Sequence, residues 1–162
     1  MPALAEIIEA LFAFAPPGLA AEGDNNGLQV GDPASEVSRV VAALDVTSGL
    51  IREARTRRAE AVVVHHPLIF HPLNSLSFDS HPARLVTQAV RANLGVVSMH
   101  TNLDFAPGGV NDRLAETVGL RDVRPLAPCG RGSLVKLTVF VPLESQDSVR
   151  RAMSNAGAGR IG

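Results

Sequence analysis

The sequence has little of several residue types that specialised folds and binding modes require. Cys129 is the only cysteine, which excludes a disulfide framework within the chain and favours a reducing compartment. Tryptophan and tyrosine are absent, and aromatic residues make up 4% of the chain, so few rings are available for base stacking. The formal net charge is −1, so no overall field attracts nucleic acid or an anionic membrane. We therefore do not expect nucleic acid as a partner.

Long hydrophobic runs are also missing. No apolar run in the sequence approaches the roughly 20 residues that a membrane-spanning helix needs. The first fourteen residues contain Glu6 and Glu9 but no lysine or arginine, which is typical of an amphipathic helix rather than a signal peptide. Hydrophobic residues nevertheless make up 46% of the 162-residue chain, enough to fill the core of one domain. We expect a globular, cytoplasmic protein without membrane association.

Strand-like and helix-like segments alternate through most of the chain. Such alternation implies right-handed crossovers and a mostly parallel sheet. We therefore predict an α/β fold with three layers, helices covering both faces of the sheet. The predicted strands are Val37–Val46, Ala61–Val64 and Leu94–Met99, and the predicted helices are Leu4–Phe12, about Thr47–Arg58, about Pro82–Ala92 and Asn111–Val118.

The composition of the sequence changes after Gly119. We predict an α/β lobe at residues 1–124, a linker rich in Pro, Gly and Arg at 125–132, and the beginning of a further α/β domain at 133–162. The last part contains one predicted strand, Leu134–Val141, and one predicted helix, about Ser145–Asn155. A single strand–helix unit cannot bury both of its faces. We therefore expect the chain to be part of a longer protein.

Polar side chains follow the predicted parallel strands at the point where each strand ends. Asp45 follows the first strand, His65 and His66 the second, and His100 the third, with Asp104 four residues further on a predicted loop. In open α/β sheets, ligands bind outside the carboxyl ends of the strands, where the connecting loops converge. The sequence therefore predicts a site at this edge.

The adjacent pair His65–His66 suggests the chemistry of that site. Consecutive side chains of an extended backbone point to opposite sides, and Pro67 favours an extended conformation for His66. Diverging rings can each bind one of two neighbouring ions, and an aspartate such as Asp104 can bind between them. Imidazole and carboxylate ligands favour zinc, iron, manganese or nickel over calcium. The metal ligands that we predict are His65, His66 and Asp104.

Other interpretations stay open on the sequence alone. The histidine pair can instead be hydrogen-bonded to loop carbonyl groups, and His100 fits a residue that orients a ligand better than a ligand itself. Asp45 reads most simply as a cap or turn residue before the helix near Thr47, with contact to the site as the lesser alternative. Asp24, Asn25 and Asn26 read as a turn, with a functional role as the lesser alternative. The other structural roles predicted are loop histidines at His71 and His81, a helix N-cap at Asn111, and a solvated face at Arg52, Arg55, Arg57 and Arg58.

Four motifs in this order resemble the GTP cyclohydrolase 1 type 2 homologue family, whose members are also called Nif-three-like proteins. They are DNNGLQVG at 24–31, AALDVT at 42–47, VVVHHPLIFHPLNSL at 62–76 and HTNLDFAPGGVNDRLAETVGL at 100–120. The segment 136–162 is similar to the start of the ferredoxin-like, PII-like domain inserted in longer members. His71 stands where the family usually has lysine, and Gly23 where it usually has tryptophan.

This resemblance implies a dinuclear metal site in a ring-shaped homohexamer. On the matching motifs, His65 and His66 would each bind one ion and Asp104 would be a further ligand, while the family completes the site with a histidine and a glutamate near its C-terminus. The implied activity is that of a metal-dependent hydrolase acting on a small molecule, with opening of the guanine ring of the nucleotide GTP as the reaction that the family name suggests. The alternative is a non-enzymatic metal-binding scaffold or interaction protein.

Overall fold

The computed structural model describes residues 1–125 and 137–159. The chain divides into two compact units, Met1–Gly130 and Arg131–Gly162. In the described residues no helix has both the length and the apolar character that crossing a bilayer demands.

A four-stranded sheet forms the centre of the first unit. Its strands lie in the order β1 (Gly27–Val30), β4 (Gly95–Ser98), β3 (Ala61–Val64) and β2 (Val40–Ala43). Strands β2, β3 and β4 are parallel, whereas β1 pairs antiparallel with β4. The valine-rich β3 and β4 occupy the middle, as expected for strands that are buried on both faces. The prediction of a mostly parallel sheet is therefore confirmed.

Helices cover both faces of this sheet. Helices α2 (Ser48–Thr56) and α3 (His81–Arg91) pack on one face through Ile51 and Leu85, against Val62 and Val96 of the central strands. Helix α1 (Leu4–Phe14) packs on the other face, in a cluster with the following residues: Val37, Ala61, Val63 and Val97. Alternate residues of each strand thus enter opposite cores. The predicted three-layer α/β architecture is confirmed.

Close contact between α1 and the sheet depends on Gly95. A Cβ atom at this position would lie 2.8 Å from Cδ2 of Leu4, closer than side-chain packing permits. Leu4 is only 1% exposed. The missing side chain at the start of β4 therefore allows Leu4 to fill the space above the strand.

The first predicted strand is shorter than the sequence indicates. We predicted Val37–Val46, but β2 includes only Val40–Ala43. Val37 instead donates a backbone hydrogen bond to Pro2 at 2.9 Å, so this part of the run joins the N-terminal segment. The other end turns into α2, where the Thr47 hydroxyl accepts the Leu50 amide hydrogen at 3.0 Å.

Two short helices follow β4 and correct the expected loop there. Asp104 lies on α4 (Thr101–Phe105), so the prediction of a loop position for it was wrong. Helix α5 (Val110–Thr117) has Gly109 as its N-cap, so the N-cap predicted at Asn111 was also wrong. Gly119, with φ of +77°, follows the C-cap residue Val118, the usual position for a glycine that ends a helix.

The second unit contains one α-helix in its described part. This helix, α6, is Gln146–Asn155, preceded by a 3-10 turn at Leu143–Ser145. It agrees with the helix predicted near Ser145–Asn155. The strand predicted at Leu134–Val141 lies partly outside the described residues, and residues 137–141 are not in a strand.

Candidate metal centre

Three histidines gather at the carboxyl edge of the parallel strands. His65 and His66 follow β3, and His100 follows β4. The centroid of the His65 ring lies 5.0 Å from that of His66 and 5.3 Å from that of His100, and the His66 and His100 centroids are 5.9 Å apart. The parallel register, which places Val64 beside Ser98, brings the two strand ends to the same level.

His65 is oriented by the backbone of the neighbouring strand. Its Nδ1–H donates to the carbonyl oxygen of Met99 at 2.9 Å. Since a carbonyl group only accepts, this bond places the proton on Nδ1 and leaves a lone pair on Nε2 in the neutral ring. The Nε2 atom lies 3.5 Å from Oδ1 of Asp104. Helix α4 therefore brings the predicted carboxylate beside the first predicted histidine.

His66 is oriented toward the opposite side of β3. Its Nδ1–H donates to Oδ1 of Asp45 at 2.7 Å, and Asp45 follows the neighbouring strand β2. We had interpreted Asp45 as a cap or turn residue, but Thr47 caps α2 and the Asp45 side chain binds the imidazole. The two adjacent histidines thus form hydrogen bonds with groups from different neighbouring strands.

His100 is held by a buried carboxylate from a distant loop. Its Nδ1–H donates to Oδ1 of Asp24 at 2.7 Å, and its backbone N–H donates to Oδ1 of Asn26 at 2.8 Å. The sequence favours a turn at Asp24 over a functional role, and its contact with His100 is not predicted. The contact spans 76 residues of chain, and local sequence patterns carry no signal for such a pairing.

The Asp24 carboxylate is stabilised in its ionised form. Burial raises its pKa, but hydrogen bonds from Thr101, His100 and Asn26 outweigh this effect and lower the pKa from 3.8 to about 2. The side chain is only 2% exposed. A full negative charge is therefore fixed beneath His100 at neutral pH.

A small cleft opens beside His66. Its volume is about 140 Å³, and its lining includes Asp45, His66, Leu85 and His81. His81 had been predicted to be a loop residue, but it is the first residue of α3. His71 is exposed, as expected, and its ring contacts Phe70 with a centroid distance of 4.9 Å.

The side chains at this edge are of types that bind transition-metal ions, but they are too few in one place to complete a site. All three histidines have Nδ1 bonded to an oxygen acceptor, the arrangement usual for metal-binding histidines. In residues 1–125 and 137–159, however, no group of three or more His, Cys, Asp or Glu side chains is arranged to hold one ion. The described residues thus offer oriented donor groups but no complete coordination shell.

Comparison with known proteins identifies the family. The family model for Duf34/NIF3 (NGG1p interacting factor 3) matches residues 2–162. The chain belongs to the Duf34/NIF3 family. It is 44% identical over 156 residues to a protein of Halalkalibacterium halodurans, and 41% identical over 157 residues to one of Bacillus subtilis. Both relatives are named GTP cyclohydrolase 1 type 2 homolog, which confirms the resemblance predicted from the motifs.

Solved structures of this family share the fold. A Bacillus cereus protein related to NIF3 has a TM-score of 0.75 and 38% identity, with 99% of this chain and 44% of that chain covered. Reduced HcgD from Methanocaldococcus jannaschii has a TM-score of 0.72 and 35% identity, covering 80% of this chain and 52% of that one. The match covers 96% of this chain but 42% of the H. halodurans relative, and 97% but 42% of the B. subtilis relative.

Proposed function

We propose that this Duf34/NIF3 chain contributes His65, His66 and Asp104 to a site for two divalent metal ions, and that the protein is a metal-dependent hydrolase. The single observation that supports this most is the hydrogen bonding of the histidines. His65 and His66 each direct Nδ1–H to a fixed oxygen acceptor. Each neutral ring is thereby left with its Nε2 lone pair for a metal.

The divergence of these two hydrogen bonds supports two ions rather than one. His65 is bonded to the end of β4 and His66 to the end of β2, on either side of β3. Two imidazoles anchored in this way suit separate ions a few ångströms apart, as the sequence predicts. The metal preferences predicted above, zinc, iron, manganese or nickel, follow from the imidazole and carboxylate donors.

The position of Asp104 beside His65 supports its role as a further ligand in such a site. Its Oδ1 lies 3.5 Å from Nε2 of His65, beyond the usual range of roughly 2.7–3.2 Å for a strong N···O hydrogen bond. Neither group is therefore committed to the other. Both side chains are also largely shielded from solvent, at 18% and 23% exposed, so each gains from a polar or ionic partner.

The remaining ligands belong to a longer protein under this proposal. The resemblance implies a histidine and a glutamate near the family's C-terminus, and the curated relatives are more than twice as long as the segment matched here. Two imidazoles and one carboxylate leave several coordination positions of two ions for such residues and for water. The hexameric assembly is part of the same proposal.

Two divalent ions held by His65, His66 and Asp104 would supply an acidified water for attack on an electrophilic carbon. The relatives' name suggests the guanine ring of GTP as the substrate group. In this proposal the Nδ1 hydrogen bonds of His65 and His66 hold their rings in position as ligands. The His100 ring centroid lies within 6 Å of both other rings, which supports a role for its Nε2 in moving a proton.

Metal analysis of the full-length protein tests the proposal. We expect His65→Ala and Asp104→Ala to remove most of the bound metal, whereas His71→Ala, at an exposed histidine outside the proposed ligand set, leaves it unchanged. An unchanged stoichiometry in the first two variants contradicts the metal assignment. Turnover of GTP and a panel of nucleotides by the metal-loaded protein then separates a hydrolase from a metal-binding scaffold, because a fully loaded protein without turnover supports only the scaffold.

A further inference from the structure

Both oxygens of the Asp24 carboxylate accept hydrogen bonds from residues in two separate parts of the chain. Its Oδ1 accepts from the Asn25 backbone N–H at 2.8 Å and from Nδ1 of His100 at 2.7 Å. Its Oδ2 accepts from the Thr101 N–H and from the Asn26 side-chain amide, each at 3.1 Å, and from the Thr101 hydroxyl. This side chain therefore joins the loop after α1 to the end of β4.

Almost every partner of Asp24 can only donate. The backbone N–H groups and the Asn26 amide nitrogen carry hydrogens and cannot accept. The Thr101 hydroxyl accepts from the Ala21 N–H at 2.9 Å and donates its own hydrogen to Asp24, because an ionised carboxylate only accepts. Among the nitrogen partners of Asp24, His100 alone can exchange roles, since a neutral imidazole can present either N–H or a lone pair at Nδ1.

We propose that Asp24 is a positioning residue that selects the Nδ1–H tautomer of His100 and thereby makes Nε2 the hydrogen-bond acceptor that serves the metal centre. The role assigned to Nε2 rests on the proposed function, but the tautomer itself is a property of the metal-free protein. The Asn26 side chain completes the arrangement, because its oxygen fixes the backbone of His100.

The proposal predicts an unusual response to Asp24→Asn. An asparagine has one accepting and one donating atom. Its oxygen is expected to replace Oδ2, where three donors converge, which directs its NH2 group toward His100. The ring then accepts at Nδ1 and moves its proton to Nε2. This nearly isosteric substitution thus changes Nε2 of His100 from a hydrogen-bond acceptor into a donor.

Asp45→Asn provides a matched control. Asp45 also binds a histidine through a carboxylate oxygen at 2.7 Å, but its side chain is 55% exposed, and its one side-chain hydrogen bond in the described residues is to His66. An asparagine there can turn its oxygen to His66 and its NH2 group to water. We therefore expect His66 to keep Nδ1–H in this variant.

Nitrogen-15 NMR of the histidine rings tests the proposal. The metal-free protein is measured about two pH units above the ordinary histidine pKa of about 6.5, with the five histidines assigned by single substitutions. We expect pyrrole-type Nδ1 and pyridine-type Nε2 for His100 in the wild type, the reverse in Asp24→Asn, and no reversal at His66 in Asp45→Asn. Retention of the wild-type pattern in Asp24→Asn would overturn the proposal.

The wild-type spectrum decides by itself if Asp24→Asn does not fold. A proton on Nε2 of His100 in that spectrum contradicts tautomer selection by Asp24, and a proton on Nδ1 supports it. Asp24→Glu, which retains the carboxylate, should then keep the wild-type pattern. If the protein shows the expected tautomer but does not bind metal, only the proposed function is refuted, because the tautomer is measured without metal.

Discussion

The connection between α4 and α5 offers a sharp test of the packing beside the candidate site. Gly109 starts α5 where the backbone folds back on α4, and its N–H donates to the Ala106 carbonyl oxygen at 2.9 Å. A Cβ atom at Gly109 would lie 2.7 Å from that oxygen and would overlap the Leu103 carbonyl oxygen. Both obstacles are backbone atoms, so no side-chain rotation relieves the overlap.

The expected cost of Gly109→Ala follows from these contacts. Overpacking of this kind costs about 1–3 kcal/mol, and loss of the hydrogen bond to Ala106 adds about 1 kcal/mol. The free energy of unfolding should therefore fall by about 2–4 kcal/mol. Because α4 carries Asp104, the same change should also move this carboxylate away from His65 and weaken metal binding.

Urea denaturation of three alanine variants measures this cost, with the change in midpoint read at constant m-value. At Gly108 a Cβ meets nothing within 4 Å but φ is +72°, so Gly108→Ala should lose about 1–2 kcal/mol. At Gly18 there is neither obstacle nor positive φ, and the change should stay within about 0.5 kcal/mol. If Gly109→Ala is no less stable than Gly108→Ala, the overlap with the backbone oxygens does not determine the cost.

Two further predictions concern single side chains. Thr47→Ala removes the hydroxyl that accepts from the Leu50 N–H at the start of α2 and should lower the free energy of unfolding by about 1 kcal/mol in the same urea assay. The control, Thr56→Ala at the last residue of that helix, should lower it by less. The pKa of Asp24 is lowered from 3.8 to about 2, so its ionisation should stabilise the fold by about 2 kcal/mol above pH 4, and this stability is lost as the pH falls through 2. The difference in unfolding free energy between wild type and Asp24→Asn should therefore narrow as the pH falls from about 4 to about 2. A difference that stays constant over this pH range would contradict the prediction.

The order of strands and helices was predictable because local patterns determine it. The valine-rich runs of β3 and β4, interrupted by helical stretches, were sufficient for a three-layer α/β fold. The short strand β1 was not predicted, because it has four residues, starts at a glycine with φ of +93° and contains a register shift against β4. Its existence depends on pairing with a strand far along the chain.

The candidate site was predictable in part for the same reason. Histidines and aspartates at the ends of parallel strands must come to one edge, which places His65, His66 and His100 together. The carboxylates that orient His66 and His100 were interpreted as turn or cap residues, since Asp45 and Asp24 reach them only through contacts across 21 and 76 residues. Residue type and spacing therefore located the edge but not its hydrogen-bond network.

Anomalous X-ray diffraction from crystals of the full-length, metal-loaded protein tests the central claim most directly. We expect two separate metal peaks, one within about 2.0–2.2 Å of a nitrogen of His65 and one at that distance from a nitrogen of His66, with Asp104 oxygens coordinating beside them. Peaks located elsewhere, or a single peak bound to neither histidine, would contradict it.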